Sequence, residues 1–258
     1  MKIIFLGTGS SLGVPVIGCG CSVCKSQDPK DNRLRSSVFI ETGNICILID
    51  ISPDFRYQII RENISRIDAL LLTHEHRDHI GGMDDIRAFN FIQKSAIDCY
   101  SSARVIKSIE SSYEYMFVQE KYPGIPEINF KEINIEPFSL AGQIIIPIIG
   151  RHFGEGHNQL PVTGFRIEDF TYLTDIKDIS NDELQKAKGS KIIVLNALRK
   201  EKHYSHLNLD EAIGIVNEIK PEQAYLTHIS HVMGLHSKIN KELPEKVSLA
   251  WDRLTIEM

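Results

Sequence analysis

The chain has 258 residues, 42% of them hydrophobic and 24% charged, with a formal net charge of −5. That length suits one substantial core, and the composition is that of an ordinary globular protein. The acidic balance excludes a broad basic footprint for a nucleic-acid backbone, although a local cluster of cations or metals can still hold a small anion.

Taken in order, the chain opens on a strand-like run, Lys2-Ile3-Ile4-Phe5-Leu6. The run is too short for a signal-peptide core, and no later segment approaches a membrane span, so a cytoplasmic location and no membrane partner are expected. Three of the five cysteines crowd together at Cys19, Cys21 and Cys24. In a reducing compartment such a cluster reads as metal binding sooner than as disulfides. Cys46 and Cys99 sit alone in apolar runs and read as small buried side chains. Strands are expected over 3–6, 37–41, 45–50 and 69–73, with Thr42-Gly43-Asn44 as a hairpin turn. A helix should follow Asp54 through Ile59 and Ile60. Another should begin near Ile80, with Met83, Ile86 and Phe89 at helical spacing.

The segment 101–138 is the least legible. It offers a helix over 102–110, then an aromatic stretch (Tyr113, Tyr115, Phe117, Tyr122) ending in Pro123-Gly124-Ile125-Pro126. That stretch could wall a substrate pocket, form a homodimer contact, or pack as ordinary core and loop. Strands return over 143–149, 164–168, 170–174 and 191–195. Asn208 and Glu211 form a capping signal for a helix that should end before Pro221. A final strand over 223–227 leads into His228-Ile229-Ser230-His231. No repeat or linker-like stretch interrupts the chain, so 1–258 reads as a single domain.

The strongest chemical signal is Thr73-His74-Glu75-His76-Arg77-Asp78-His79. An apolar strand delivers three histidines and an aspartate within six residues. In an extended segment His74 and His76 point the same way and can grip one metal. Asp78 and His79, after a bend, can face a second, and Gly81-Gly82 lets the backbone turn into a helix. Further donors lie at expected strand ends: His152, Asp175, whose two oxygens could bridge two ions, and His228. His157 competes with His152, and the closeness of His152 to its strand favours it. Imidazole and carboxylate suit zinc, manganese or iron. Three thiolates in Cys19–Cys24 leave a closed zinc site one ligand short, and His231 is the natural fourth.

His-x-His-x-Asp-His with later His, Asp and His resembles the metallo-β-lactamase superfamily. That resemblance implies an α/β fold, a four-layer αββα sandwich, with two divalent active-site metals (zinc or manganese). It implies that His74, His76 and His152 hold one metal, that Asp78, His79 and His228 hold the other, and that Asp175 bridges. His at position 76, in place of Glu, separates the chain from the di-iron flavoprotein branch and points to hydrolysis. Gly7-Thr8-Gly9-Ser10, the Cys-x-Cys-x-x-Cys run, Arg33-Leu34-Arg35-Ser36-Ser37 and Thr227-His228-Ile229-Ser230-His231 together resemble the phosphoribosyl 1,2-cyclic phosphate phosphodiesterase branch. The branch carries a histidine near the substrate phosphate where this chain has His206, beside the Asn208 cap.

The expected activity is hydrolysis of a small phosphodiester by a hydroxide held between two metals, with one structural zinc apart from the chemistry. His206, as phosphate binder or general acid, and Asp78 are assigned direct parts in catalysis. Asp50 is expected to hold a ligand or order the loop. His203 and its basic neighbours Arg199, Lys200 and Lys202 are expected in an exposed loop. A nuclease of the tRNA 3′-processing type is the nearest rival, but no glycine-rich basic arm is visible. A metal-binding partner protein without turnover is the alternative from a different class.

Overall fold

A computed structural model describes residues 1–118, 120, 122–153 and 159–258 of the chain. The fold divides into two compact units, each built on one sheet. The first comprises Met1–Gly7, Arg35–Asn134 and Arg253–Met258. Its sheet runs, edge to edge, Thr255–Glu257, Lys2–Gly7, Ser37–Thr42, Ile45–Ile49, Ala69–Leu71, Ile97–Ser101 and Ile128–Glu132. Pairing is antiparallel up to Ile45–Ile49 and parallel beyond it. The two-residue turn Gly43-Asn44 closes the expected hairpin. Leu6, Leu48, Leu70 and Leu72 form one core with Phe55, Ile80, Met83, Ile86 and Phe89.

The helix expected from Ile80 to Phe89 is broken into Arg77–Ile80, a 3-10 turn Met83–Ile86, and Arg87–Gln93. The break falls at Gly81-Gly82. Both glycines have ordinary negative φ, so their role is space. A Cβ on Gly82 would stand 2.3 Å from the Ser52 carbonyl oxygen. Tyr113, Tyr115 and Phe117 of the aromatic stretch make contacts within their own unit, whereas Tyr122 is exposed. The Tyr113 hydroxyl donates to Ile80 O at 2.9 Å, the Tyr115 hydroxyl donates to Asp84, and Phe117 stacks on Phe130. The strands Ile97–Ser101 and Ile128–Glu132 escape sequence reading because each mixes apolar and polar residues over only five positions.

The second unit comprises Thr8–Leu34 and Ile135–Asp252. Its sheet runs Asp178–Ile179, Gln143–Phe153, Gln159–Ile167, Phe170–Leu173, Ile192–Asn196, Gln223–Thr227 and Val247–Leu249, with Phe138–Leu140 paired to Gln143–Phe153. The last four strands of that order are parallel to one another. The expected end at residue 227 is therefore corrected, since Val247–Leu249 adds a strand here and Thr255–Glu257 one in the first unit. The strand expected over 143–149 continues to Phe153, so His152 lies within it and not beyond it. Helix Leu209–Ile219 begins on the full capping box of Asn208 and Glu211. Leu209, Ala212, Val216 and Ile219 fill a core with Leu173, Leu195 and Leu226. No helix among the described residues is long and apolar enough to cross a membrane.

A buried polar belt closes the second unit. Arg33, 4% exposed, donates through Nη1 to Thr8 Oγ1 at 2.8 Å and Ala250 O at 2.6 Å. Its Nη2 donates to His236 Nδ1 at 3.1 Å, and the His236 backbone N–H donates to Asp31 Oδ1 at 2.7 Å. Nδ1 of His236 is therefore an acceptor, and the ring is neutral. Burial, then the charges of Arg33 and Lys30, lower its pKa to about 4. A histidine whose folded pKa lies below its unfolded value near 6.5 binds fewer protons folded than unfolded between those values, so stability falls as pH drops through that window. Thermal melts between pH 7 and pH 4 should show a larger loss of Tm for the wild type than for His236→Asn, which offers an amide oxygen to Arg33 and does not titrate. Equal losses would contradict the assignment.

Candidate metal centre

In the first unit the chemistry begins where Ile45–Ile49 ends. Asp50 is wholly buried and takes a left-handed backbone, φ 62°. Its Oδ1 accepts from the Thr73 backbone N–H at 2.9 Å, and its Oδ2 accepts from Thr73 Oγ1 at 2.9 Å and His79 Nδ1 at 2.6 Å. Burial pushes the Asp50 carboxyl upward, while the charge and hydrogen bond of His79 and the Thr73 donors pull it back.

These directions fix two tautomers. A carboxylate only accepts, so His79 carries its proton on Nδ1. Thr73 Oγ1 spends its proton on Asp50, so at 2.9 Å it accepts from His74 Nδ1. Both rings then offer Nε2 as a lone pair, the form in which imidazole binds metal. The rings of His74 and His76 stand 4.6 Å apart, and those of His74 and His79 4.2 Å. Nε2 of His79 faces Asp78 Oδ2 at 3.2 Å. Two acceptors at that distance need a cation between or beside them, so the donor set fits a metal. His74, His76, Asp78 and His79 are thus brought together in the first unit.

The second unit gathers His152, Asp175, His206 and His228. Asp175 is 1% exposed and, like His228, left-handed, with φ 59° and 55°. Each lies just past a parallel strand, where left-handed backbone turns a side chain back over the strand ends at a cost of about 1–2 kcal/mol per residue. Asn196 holds the first turn, accepting from Ile176 N–H at 2.9 Å and donating to Ile176 O at 3.0 Å. Asp175 Oδ2 accepts from Thr174 Oγ1 at 2.6 Å and lies 3.2 Å from His228 Nδ1, while Oδ1 lies 3.1 Å from His206 Nε2. His152 donates from Nδ1 to Asp175 O at 2.9 Å, so its Nε2 is also the lone-pair atom. His157 lies outside the described residues.

Sequence reasoning placed His203 in an exposed loop, and the structure corrects this. His203 is half-buried, its Nδ1 3.1 Å from Ser205 Oγ and 3.4 Å from His206 Nδ1. Burial, then the charges of His206, Arg199 and Lys177, lower its pKa to about 4. Ser205, Thr73 and Thr174 were not singled out from sequence. Their only signal is adjacency to a predicted ligand or, for Ser205, to the predicted catalytic His206.

The cysteine cluster forms a second arrangement within the same unit. A parallel bridge between Gly9 and Ile229 ties the two loops, and a Cβ on Gly9 would come within 2.8 Å of Arg33 O. His231 Nδ1 lies 3.3 Å from Cys19 Sγ and 3.5 Å from both Cys21 Sγ and Cys24 Sγ. Tetrahedral coordination by thiolate and imidazole gives sulfur–nitrogen edges of about 3.5 Å, so the four residues fit one ion. The Cys24 N–H, followed by His231, lowers the Cys21 pKa to about 6, whereas burial raises Cys24 to about 11.

A profile of the beta-lactamase superfamily domain matches residues 46–229. The crystal structure of a new diphosphatase from the PhnP family superposes with TM-score 0.91 at 35% identity, over all of this chain and 97% of that one. The chain belongs to the metallo-β-lactamase superfamily, in its PhnP branch. The αββα fold class expected from sequence is that of this superfamily. A Porphyromonas gingivalis protein named octanoyltransferase is 37% identical over 257 residues, 98% of this chain and 51% of that protein. The chain thus spans about half the length of that relative. The zinc-bound PqqB of Methylobacterium extorquens shares the fold at TM-score 0.81 and 17% identity, over the full length of both chains.

Asp50→Asn should weaken metal binding by about 10–100-fold, because an amide cannot hold His74 and His79 in the same tautomers. Calorimetric titration of metal-free protein checks it, and an unchanged affinity would count against the assignment. Cys21→Ser should lose about one metal ion per chain by elemental analysis and melt at lower temperature, since a structural ion contributes folding energy directly. Full metal content in that variant would refute the cysteine site.

Proposed function

We propose that this protein is a metal-dependent hydrolase, a dinuclear phosphodiesterase for small, compact phosphodiesters, with residues 1–258 acting as one hydrolase domain. The ligand assignment follows the superfamily pattern: His74, His76 and His152 for one ion, Asp78, His79 and His228 for the other, and Asp175 bridging. One observation carries the reading. His74, His79 and His152 each hold their proton on Nδ1 through an acceptor within their own unit, leaving Nε2 as the ligand atom. Zinc is the ion proposed for Cys19, Cys21, Cys24 and His231, and zinc or manganese for the active site.

When bound, the active-site ions supply a water acidic enough to serve as nucleophile at neutral pH and positive charge for the phosphoryl oxygens. The chain's own residues do the rest. Asp50 and Asp175 fix the imidazoles that serve as ligands. His206, its Nε2 beside Asp175, is placed to donate to a substrate oxygen, as phosphate binder or as general acid to the leaving group. The chain's net charge of −5 favours a compact phosphodiester, whose own charge would be met locally by the ions and the loop beside His206, over a long nucleic acid, which requires a basic surface. A second reading, hydrolysis of a P–O–P diphosphate bond, is favoured by the likeness to the PhnP-family diphosphatase. Acyl transfer is not proposed, because the chain spans only half of the protein bearing that name.

A metal-analysed preparation should be assayed on a cyclic ribose phosphate, bis-(p-nitrophenyl) phosphate, a nucleoside diphosphate ester and precursor tRNA. The small diesters should be cleaved faster than tRNA, with weak dependence on salt. Asp175→Ala should lower both active-site metal content and rate. Preference for the diphosphate ester would select the second reading. Efficient, strongly salt-sensitive cleavage of tRNA alone would replace both with a nuclease.

A further inference from the structure

One exposed aromatic ring stands beside the site and takes no part in holding it together. Tyr204, 66% exposed, lies two residues before His206, and its ring leans on that of His203 with centroids 4.6 Å apart and planes 32° apart. His203 meets His206 at 5.3 Å, and His206 stacks on His228 at 5.0 Å. These rings form a row inside the second unit, with the candidate metal ligand His228 at one end and Tyr204 in solvent at the other. We propose that Tyr204 is a stacking platform for a flat aromatic ring carried by the substrate, so that the preferred phosphodiesters are nucleoside esters. Its place in recognition rests on the phosphodiesterase reading, which puts the substrate phosphate at His206.

Spacing and rigidity support the platform. A phosphoryl group held by His206 has the His203 ring next to it and the Tyr204 ring one step further along the row. In a nucleoside ester the sugar spans that step and leaves the base at Tyr204. Stacking asks only for a π face, so any base is accepted. The loop that bears the ring is fixed at both ends. Leu198 N–H donates to Leu207 O at 3.0 Å, Leu209 N–H to Arg199 O at 2.9 Å, and Asn208 Nδ2 to Lys200 O at 2.8 Å. The His203 ring beneath Tyr204 is held in turn by Ser205, whose Oγ lies 3.1 Å from its Nδ1. A platform already in place loses little freedom when a ligand settles on it.

Charge favours a flat neutral group here over a second anionic one. Arg199 donates from Nη2 to Lys202 O at 2.9 Å, and Lys200 pairs with Glu242 at 2.7 Å. Lys177 gives its ammonium to both oxygens of Glu211 at 2.7 Å. The neighbouring loops expose apolar side chains instead. Ser230 Oγ donates to Leu198 O at 2.8 Å and Gly9 bridges to Ile229, so the loops of Leu12, Tyr204 and Val232 are tied to one another. Leu12 is 64% exposed and Val232 51%. Lone exposed apolar residues are ordinary, but three on bonded loops around His228 mark a binding rim.

Calorimetric titration of the metal-loaded full chain with adenosine 5′-phosphate and with ribose 5-phosphate isolates the contribution of the base. The wild type should bind the adenosine ester about tenfold more tightly, the scale of one base–aromatic stack. Tyr204→Phe should keep that ratio, and Tyr204→Ala should bring it close to one. In NMR spectra the Tyr204 ring protons should shift upfield with the adenosine ester and not with the ribose ester. A wild-type ratio near one, or a ratio unchanged in Tyr204→Ala, would overturn the proposal. An unchanged ratio joined to a loss of self-association in sedimentation would assign the ring to a protein contact and overturn it equally. Diester cleavage is scored separately. A wild type that cleaves no diester, yet binds the adenosine ester by a margin that Tyr204→Ala removes, would defeat the phosphodiesterase reading and leave the platform standing. Cleavage of small diesters without that margin would keep the reading and remove the platform.

Discussion

The buried carboxylate of Asp50 organises the chemistry of the first unit. Placing a carboxylate out of reach of water is costly unless donors surround it, and the donors to the Asp50 carboxylate, from Thr73 and His79, belong to the metal-binding run. The Thr73 amide and hydroxyl and the His79 ring satisfy it, and through Thr73 the His74 ring is drawn into the same network. Satisfying one charge therefore sets two imidazole tautomers and the path of the loop between them. The left-handed turn at Asp50 is what aims its carboxylate at Thr73 and His79.

The second unit repeats the device with different parts. Asp175 also leaves a strand end in a left-handed conformation, buried, with Thr174, His206 and His228 around its oxygens. Its backbone carbonyl, not its carboxylate, orients His152. One residue thus holds a neighbouring ring through its main chain and presents its side chain to two others. Asn196 secures the turn from the adjoining strand, so the strained conformation is fixed by rigid sheet on one side and by a paired loop on the other. Strain of this kind persists where surrounding contacts over-determine it.

The cysteine loop shows how fold and site are tied within that unit. Residues 8–34 carry almost no regular structure, yet Arg33 anchors them to Ala250 and His236 as well as to Thr8, and Asp31 accepts from the His236 amide. Gly9 bridges to Ile229, two residues before His231. The loop that bears three sulfurs and the turn that bears the fourth donor are therefore held together by protein contacts.

The sequence by itself determined the donors and most of the elements that carry them. His74, His76, Asp78 and His79 announce themselves because a period-two strand followed by a bend leaves few other uses for so many imidazoles. The Asn208–Glu211 capping box and the Gly43-Asn44 hairpin were legible because both are local in sequence. The superfamily followed from those motifs for the same reason. What only the tertiary structure decided lies in contacts that cross long stretches of chain. Asp50 meets His79 across 29 residues and Cys19 meets His231 across 212. Neither partner's hydrogen-bond direction can be read until both are placed. His203 looked like part of a solvated basic run because sequence shows its charged neighbours and not its packing against the buried Ser205 and the half-buried His206. Glycine at 81 and 82 suggested a turn, and a turn forms there, but its cause needed the fold: a Cβ on Gly81 would meet Arg77 O and Pro53, and one on Gly82 the Ser52 carbonyl. Residue types and local order set which groups could bind a metal. Burial and direction, which exist only once the chain has folded, set which nitrogen of each ring does so.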